Sequence, residues 1–473
     1  MKLATSALGL ALLLATLAPA SPVRAQDDAF DTAIANARGE ALLEHPDASL
    51  GRYRDALAAA GADATRMRMS RFGIARMLLS LGRFDEAHVE YTALLATSLS
   101  PEDREIALDG SVRSLLALDR PISAYRLVRD DAPIDNPRLT LSAARAANEG
   151  GRPEAAHSIL ARHRADIERF APGSRLQSEA RRVARDVAEE TDVNVGLTQS
   201  FAYDSDGQTT NETTLLLRQP LPSGDVVSYR ARRLALSGAI SSVQNAGVYG
   251  ATYAAKPSDA LTLSLAADVA QYGAWHPSFV SASVAYQPID ALRLVASLNP
   301  SAVETQLGLA NRIHSDAFVF DVTGRPNALV KLDGSAYATH FSDGNHRVGY
   351  FGSAAFGIPS IAGLSFALRS RGFADRTTPL TGYFSPKYFS EQQLIFSERA
   401  RIRSWIVSVQ AGVGHETISP ETSSTTALLS LGARGPIGGC LALDTSASNS
   451  TSGLASASGY RRTSASIALS CRL

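Results

Sequence analysis

The chain is poor in the features that mark disulfide-rich, nucleic-acid-binding or helical membrane proteins. Only two of its 473 residues are cysteine, and both lie near the end, which excludes a disulfide-dense scaffold. Its 46 basic and 46 acidic residues cancel, so the sequence carries no electrostatic footprint for nucleic acid. After the first 25 residues, no stretch is apolar enough to form a spanning helix of about 20 residues.

Catalytic and cofactor motifs are also missing. No GxSxG, P-loop or HExxH sequence occurs, and the nine histidines are scattered singly. Histidines without a second ligand nearby are usually satisfied structural groups rather than metal ligands. The sequence therefore predicts no enzyme, no catalytic residues, no cofactor and no metal site.

The first 25 residues have the composition of a secretory signal peptide. A basic start at Lys2 precedes the apolar run 8–17, and small residues around Ala25 provide a cleavage site. The apolar run is about half as long as a spanning helix requires. We therefore expect residues 1–25 to be removed and the mature protein to be exported.

Residues 26–190 show helical spacing and a recurring short phrase. The phrase occupies residues 51–56, 82–87, 119–124 and 151–156, and its closing alanines lie 31, 37 and 32 residues apart. A turn followed by a small residue at this period resembles tetratricopeptide repeats. The best copy has Gly82 at the turn, then Ala87, then Tyr91. The resemblance implies a solenoid whose concave side binds a partner protein, with a spacer or assembly platform as the alternative.

From residue 191 to residue 473 the pattern changes to a period of two. Apolar and small polar residues alternate, for example in 261–269, 328–337 and 464–473. Such a strand has one apolar and one polar face. A soluble sandwich would bury the apolar face, whereas a closed membrane barrel shows it to lipid and the polar face to a wet lumen. The absence of any spanning helix in an exported chain favours the barrel.

Seven short turn candidates divide this region into hairpins. They contain the proline, glycine, aspartate and asparagine that tight turns require. They lie at 222–225, 256–259, 288–290, 324–327, 357–363, 397–399 and 435–439. Seven turns separate eight hairpins and therefore predict about sixteen strands, with fourteen as the alternative. An even count places both ends of the barrel region in the periplasm, beside the helical domain.

Alternation also assigns the side chains that line the lumen. A charged side chain that faces lipid at mid-depth costs about 2–4 kcal/mol, so the charged positions of apolar-alternating strands are expected to point inward. The predicted lining residues are Arg230, Arg232, Lys331, Asp333, Tyr337, Arg369 and Arg371. They form a candidate selectivity lining for an anionic or polyhydroxylated solute, or the mixed charge of any wet lumen.

Cys440 and Cys471 lie on the last hairpin, nearly equidistant from its tip. An oxidising periplasm would allow them to form a disulfide. Strict alternation places them on opposite faces, but Gly438 and Gly439 loosen the strand phase directly before Cys440. The sequence is therefore compatible with a disulfide and with two free thiols.

One further segment resembles a known motif. Gly382, Tyr383, Phe384, Ser385 and Pro386 are similar to a segment in the barrel of cellulose-synthase outer-membrane exporters. Those proteins, like the related poly-N-acetylglucosamine exporters, join periplasmic tetratricopeptide repeats to an outer-membrane barrel of about sixteen strands. The same aromatic residues are also expected where a strand enters the membrane interface.

Together these features predict a two-domain α + β protein of the cell outer membrane. An α-helical tetratricopeptide-like domain (26–190) in the periplasm precedes a transmembrane antiparallel barrel (191–473). The resemblance implies export of an extracellular polysaccharide, with the repeats recruiting periplasmic or inner-membrane secretion or synthase proteins. The barrel would contact outer-membrane lipid. By size the chain also resembles surface-lipoprotein assembly modulators, and a small-solute porin with a docking domain is a third alternative.

Overall fold

The computed structural model describes residues 22–129, 136–204, 207–238, 245–359, 361, 363–377, 382–419, 422–452 and 461–473. The predicted signal peptide lies outside these residues except for residues 22–25, which belong to the first helix. The chain divides into two compact units, residues 1–146 and 147–473. The division falls inside a helix, whereas the change from helices to strands comes later, between Thr191 and Asn194.

Eleven helices occur within the described residues, and ten of them precede the first strand. They are α1 (Pro22–Leu42), α2 (Pro46–Ala59), α3 (Ala64–Ser80), α4 (Phe84–Leu95), α5 (Pro101–Ala117), α6 (Pro121–Arg129), α7 (Pro137–Glu149), α8 (Pro153–Arg162), α9 (Arg164–Glu168), α10 (Arg175–Thr191) and, within the strand region, α11 (Gln306–Ala310). None of the described helices is long and apolar enough to cross a membrane.

Helices α1 to α8 form four pairs, and each pair is joined by the same backbone turn. The turn residue has a positive φ of 60° at Glu44, 73° at Gly82, 58° at Asp119 and 74° at Gly151. The amide that follows each of them donates to a carbonyl five residues earlier, as in a Schellman motif. The second helix of each pair begins two residues after the turn residue.

This repeated turn corrects the first predicted copy of the phrase. Gly51 lies inside α2, and the equivalent turn is at Glu44. The third copy lacks glycine, yet Asp119 adopts the same left-handed backbone, which aspartate tolerates better than most residues. The structure therefore shows a recurring helix–turn–helix unit, while its assignment as a tetratricopeptide repeat stays a prediction.

In residues 22–129, a tyrosine of one helix pair packs against a glycine of the next pair. A Cβ atom on Gly73 would lie 2.3 Å from the ring of Tyr53, and one on Gly110 would lie 2.1 Å from the ring of Tyr91. Both tyrosines are nearly fully buried. Only glycine permits this approach, so the two contacts fix how each helix pair meets the next.

Residues 194–472 form sixteen antiparallel strands in one closed barrel, as predicted. The strands are β1 (Asn194–Asp204), β2 (Thr209–Pro220), β3 (Val226–Ser237), β4 (Asn245–Ala255), β5 (Leu261–Tyr272), β6 (Ser278–Ile289), β7 (Leu292–Ala302), β8 (His314–Asn327), β9 (Val330–Phe341), β10 (His346–Gly357), β11 (Leu364–Asp375), β12 (Phe389–Ile402), β13 (Trp405–Ile418), β14 (Thr422–Gly438), β15 (Leu441–Ser450) and β16 (Arg462–Arg472). Each strand pairs with its sequence neighbours, and β1 pairs with β16 to close the sheet.

The connections alternate between two ends of the barrel. At the end that holds Asn194 and Arg472, here called the terminal end, no connection exceeds six residues, and the opposite loop end has the three longest connections, after β7, β11 and β15. The predicted turn at 397–399 is wrong, because β12 continues to Ile402 and the chain turns at Arg403 with φ 55°. The connection between β7 and β8 contains the short helix α11.

The strands have one apolar face and one polar face. Leu197, Tyr229, Leu265, Phe318 and Leu368 are among the exposed large side chains of the apolar face. Antiparallel register places alternate residues on the other face. Exposed apolar side chains of this extent mark a surface meant for lipid, so we call this the outer face and the opposite one the lumen face.

At the terminal end, helices α8 and α10 are tied to the barrel by ion pairs within residues 147–473. Glu190 pairs with Arg218 at 2.9 Å and Asp192 pairs with Arg472 at 3.4 Å. Arg152 forms a short ion pair with Asp259 in the β4–β5 turn. In the same turn, burial and the nearby guanidinium of Arg152 lower the pKa of Lys256 to about 8, although Asp259 opposes the shift.

Cys440 and Cys471 form a disulfide, with their Cα atoms 4.9 Å apart. Cys440 precedes β15 rather than lying within it, and Gly438 and Gly439 both have positive φ. The register of β14 on β15 shifts at Pro436 and Gly438. This irregular turn cancels the strict alternation that separated the two cysteines by face.

Candidate functional site: the barrel lumen

Register places all seven predicted lining residues on the lumen face, in three separate groups. The first group is on β3. Arg230 donates to Asp268 at 2.8 Å, and Arg232 pairs with Glu212 at 3.2 Å. Arg232 also forms a short ion pair with Glu304. Both guanidinium groups are therefore neutralised by carboxylates from other strands or from the β7–β8 connection.

The second group is on β9. Lys331 pairs with Asp333 at 2.9 Å, and Asp333 also accepts a hydrogen bond from Thr323. Tyr337 lies farther along the strand, where a Cβ atom on Gly349 would come within 2.2 Å of its ring. The glycine on β10 thus makes the space that Tyr337 occupies.

The third group is on β11 and continues across two more strands. Arg371 pairs with Glu391 on β12, and Arg369 donates to Gln393. Gln393 in turn donates to Glu391 at 2.6 Å and to Thr426 on β14 at 3.1 Å. This network covers one wall of the lumen.

The sequence reading found the cations but missed most of the partners that neutralise them. The missed carboxylates and amides are Glu212, Asp268, Glu304, Glu391 and Gln393. Four of these lie at lumen-face positions of their strands, so alternation applied to acidic as well as basic residues would have found them. Glu304 lies outside the strands, and no periodic signal marks it.

Hydroxyl groups line another wall, on β14, β15, β16 and β1. Ser446 and Ser466 lie 2.7 Å apart through their oxygens, and Ser448 and Ser464 do the same. Register places Ser430 and Ser200 on the same face. Toward the terminal end the same face also carries Arg434 on β14 opposite Asp444 on β15, so this wall combines neutral donors and acceptors with one pair of opposite charges.

The connection between β7 and β8 folds back onto the lumen face. Its short helix α11 begins after Thr305, whose hydroxyl accepts a hydrogen bond from the amide of Gly308. Leu309 is 2% exposed and packs in one cluster with lumen-facing side chains. The other cluster members are Leu234, Leu236, Ala246, Val248, Ala270 and Tyr272. Tyr272 also donates to Glu304 at 2.8 Å, so the segment is held on the wall formed by β3 to β5.

The exporter-like motif folds onto a different part of the lumen face. Tyr383 stacks on Phe341 with ring centroids 4.4 Å apart, and its hydroxyl donates to Asp343 at 3.0 Å. Phe384 meets Phe373 and Phe389 edge-on, both at 6.0 Å. The alternative that Tyr383 and Phe384 are membrane-interface aromatics is therefore wrong, because both rings pack on lumen-facing rings.

Charged and polar groups support the same motif. Arg347 makes a two-fold hydrogen bond with Asp375, each contact 2.9 Å, and lies 4.0 Å from the ring centroid of Phe373. It also donates to the carbonyl of Phe384. Burial, with the Asp343 contact, raises the pKa of Tyr383 to about 12. Tyr383 is therefore a neutral hydrogen-bond donor at any physiological pH.

The two inward-folded segments touch each other. The hydroxyl of Thr305 donates to the carbonyl of Gly382. Gly382 has φ 102°, and a Cβ atom there would lie 2.1 Å from Leu307. The glycine of the motif is thus required twice, by its backbone conformation and by the contact with α11. Together the segments bridge the β3–β5 wall and the β9–β13 wall at the loop end.

The lumen therefore offers paired charges, hydroxyl groups and a constriction where the two inward-folded segments meet. Within the described ranges, no group of three or more His, Cys, Asp or Glu residues is arranged to hold a metal ion.

Comparison with known proteins gives similarity at the level of the fold. No family model matches the chain, and no curated protein matches its sequence. Among solved structures, a bacterial polysaccharide outer membrane secretin covers 60% of this chain and 99% of its own, with a TM-score of 0.51 and 15% identity.

Two other matches are more distant. OccK11 (OpdR) of Pseudomonas aeruginosa covers 60% of this chain and 97% of its own, at a TM-score of 0.38 and 10% identity. CdiB of Acinetobacter baumannii covers 59% of this chain and 60% of its own, at a TM-score of 0.40 and 12% identity. The fold that residues 194–472 share with the secretin is that of an outer-membrane β-barrel.

Proposed function

We propose that the protein is an outer-membrane conduit that exports an uncharged, polyhydroxylated polymer, an extracellular polysaccharide of the cellulose or poly-N-acetylglucosamine kind. The observation that carries the proposal is that the lumen arginines are paired with carboxylates or amides beside a wall of hydroxyl groups. The secretin named above, similar in fold, supports it.

The pairing argues against a charged cargo. Arg230, Arg232 and Arg371 each have a carboxylate partner within 3.2 Å. To bind an anionic polymer, such an arginine would have to exchange a partner that is already in place. A neutral sugar chain instead exchanges hydrogen bonds with hydroxyl groups such as Ser446 and Ser466, and each exchange is nearly balanced. Weak, repeated binding is what conduction requires.

The two inward-folded segments favour an extended cargo. An extended chain would have to displace them only locally, whereas a folded lipoprotein would need both of them to be cleared from the lumen. An exported polymer that pushes against α11 would meet contacts held by side chains rather than by strand hydrogen bonds. Lipoprotein translocation therefore fits this lumen less well than polymer export.

The helical region supplies the second half of the proposal. We place the terminal end and the helices before it in the periplasm, where the repeated helix pairs recruit a secretion or synthase protein. The ion pairs of Arg218 and Arg472 hold α10 at the terminal end. Because the helices and the barrel belong to one chain, a partner bound to the helices would be tethered to the barrel.

The experiment is single-channel recording in planar lipid bilayers. We would use a full-length variant in which residues 304–312 are replaced by a short glycine–serine linker, so that the lumen is open. Cellohexaose and the hexamer of N-acetylglucosamine should cause transient current blockades. Hexagalacturonate, which has a similar length but carries negative charge, is the control and should block less.

Each alternative has its own signature in this recording. Stronger blockade by hexagalacturonate would show that the lumen selects anions, which contradicts the neutral-polymer proposal. No conductance in the opened variant would exclude a conduit. Blockade by neither class, with normal conductance, would leave a small-solute porin as the better description and overturn polymer export.

A further inference from the structure

A groove in residues 22–146 is lined by five arginines. It has a volume of about 530 Å³ and lies between the first helices of successive pairs. Arg68 and Arg76 reach it from α3, Arg113 from α5, Arg38 from α1 and Arg138 from α7. Arg68 and Arg76 on α3 are eight positions apart, and Ile106 and Arg113 on α5 are seven apart. Both spacings return to one face of a helix. The groove is thus formed by corresponding faces of the first helices in successive pairs.

The positive charge of the groove is only partly compensated. Two carboxylates also line it, so the lining has an excess of three positive charges. Asp103 lies 3.9 Å from Arg68, and Asp109 lies 3.7 Å from Arg113. The other three arginines have no carboxylate within 4.0 Å in the part of the chain that the structure describes. This contrasts with the lumen, where the arginines are paired.

Apolar side chains lie exposed between these charges. Met69 is 39% exposed and Ile106 is 43% exposed, and both line the groove. The rings of Tyr53 and Tyr91 also border it but are buried against glycines, so they present no open face. The third aromatic residue of the lining, Phe72, is half-buried and packs against the hydrophobic core. Sugars are commonly recognised by stacking on exposed aromatic rings, whereas flexible aliphatic side chains suit apolar side chains of a peptide. The lining therefore favours a peptide over an anionic polysaccharide.

We propose that this groove binds an acidic peptide segment of a partner protein, with carboxylates on the unpaired arginines and aliphatic side chains on Met69 and Ile106. The inference deepens the recruitment part of the proposed function and rests on it. Carboxylate–guanidinium contacts would supply orientation and a fast association rate, and the two apolar contacts would select sequence.

The test measures peptide binding by the full-length protein in detergent micelles, using fluorescence anisotropy. The probe is a fluorescein-labelled peptide in which glutamate and leucine alternate. Its controls are the same peptide with glutamine in place of glutamate, and hexagalacturonate as a competitor. The test variant is the double charge reversal Arg76→Glu/Arg138→Glu. The matched control is Arg54→Glu, because Arg54 is exposed on α2 outside the groove.

We expect the double reversal to weaken peptide binding by about tenfold or more, since close charged contacts at an interface control affinity strongly. Arg54→Glu should have little effect, and added salt should weaken binding to the unmodified protein. A variant that folds should also bind a lysine–leucine peptide more tightly than the unmodified protein does, which separates lost charge complementarity from lost structure.

Three results would overturn the proposal. They are equal binding of the glutamine peptide, an equal loss with Arg54→Glu, and displacement of the peptide by hexagalacturonate at lower concentration than by unlabelled peptide. The current-blockade experiment does not involve the groove. Peptide binding without current blockade by the sugars would therefore reject polymer export alone. Current blockade without peptide binding would reject the acidic peptide partner alone.

Discussion

Shortening Leu309 should open the lumen more often. Leu309 is 2% exposed and packs against six lumen-facing side chains. Replacing a buried leucine by alanine costs about 2–5 kcal/mol. We expect about 2–3 kcal/mol here, because the hydrogen bonds of Glu304 and Thr305 stay in place and the neighbouring side chains can relax. That change shifts the equilibrium between the folded-in and released segment by roughly 30- to 150-fold, at about 1.4 kcal/mol for each factor of ten.

The assay is the open probability of single channels in planar bilayers, compared between the unmodified protein and Leu309→Ala. Leu298→Ala is the matched control, because Leu298 lies on the outer face of β7 and is 46% exposed. A heat-modifiability gel checks that each variant still forms a barrel. If the open probability of Leu309→Ala stays at that of the control, the 303–313 segment does not close the lumen, and the constriction argument fails.

Three further predictions follow from the packing, the titration and the disulfide. Gly110→Ala should lower the free energy of unfolding by about 1–3 kcal/mol through overpacking, whereas Gly51→Ala, with nothing within 4 Å of its new methyl group, should raise it by about 0.5–1 kcal/mol, both measured by thermal melts. The amine of Lys256 has its pKa lowered to about 8, so its acylation rate, followed by mass spectrometry, should reach half its plateau near that pH. Because burial disfavours the charged amine, the hydrogen bond from Lys256 to the carbonyl of Gly151 should cost less free energy as pH rises from about 8 toward the ordinary pKa of 10.5. A half-plateau near pH 10.5 would contradict the burial. Cys440→Ser should destabilise the last hairpin by about 3–4 kcal/mol for a closed loop of this length, seen as heat-modification at lower temperature, and an unchanged transition would show that Cys471 gains nothing from the bridge.

The barrel was predictable because its signal is local and repeats sixteen times. The alternation of apolar and polar residues in a single strand such as β16 is a weak signal. Once the strands are assumed to close into a barrel, that alternation assigns each residue to the outer face or the lumen face. The wrong turn at 397–399 has the same origin. Ser397 and Arg399 are polar because their face of β12 lines a wet lumen, so polarity there does not indicate a turn. The true turn at Arg403 uses a left-handed non-glycine residue, for which the sequence gives no signal.

The inward-folded segments could not be predicted, because their contacts join distant parts of the chain. Thr305 and Gly382 are 77 residues apart, and Arg232 and Glu304 are 72 apart. No periodic pattern links such positions. The resemblance to a known segment identified the aromatic motif, but it did not predict that the rings face the lumen. An aromatic ring suits both a membrane interface and a packed lumen cluster. The disulfide depends on the irregular turn at Gly438 and Gly439. The alternation of apolar and polar residues does not predict how this turn orients the residue that follows it.

The contact between Thr305 and Gly382 makes the two segments a single arch with one joint, anchored on different walls. A load on either half passes through that joint to the other, so the arch is expected to open as one unit and the pore to show two conductance levels rather than a graded series. The same joint restricts which residues can occupy it. A side chain at Gly382 would meet the backbone of Leu307 and Gly308 as well as the Cβ of Leu307, and φ there is 102°, so relatives that keep the arch should keep this glycine.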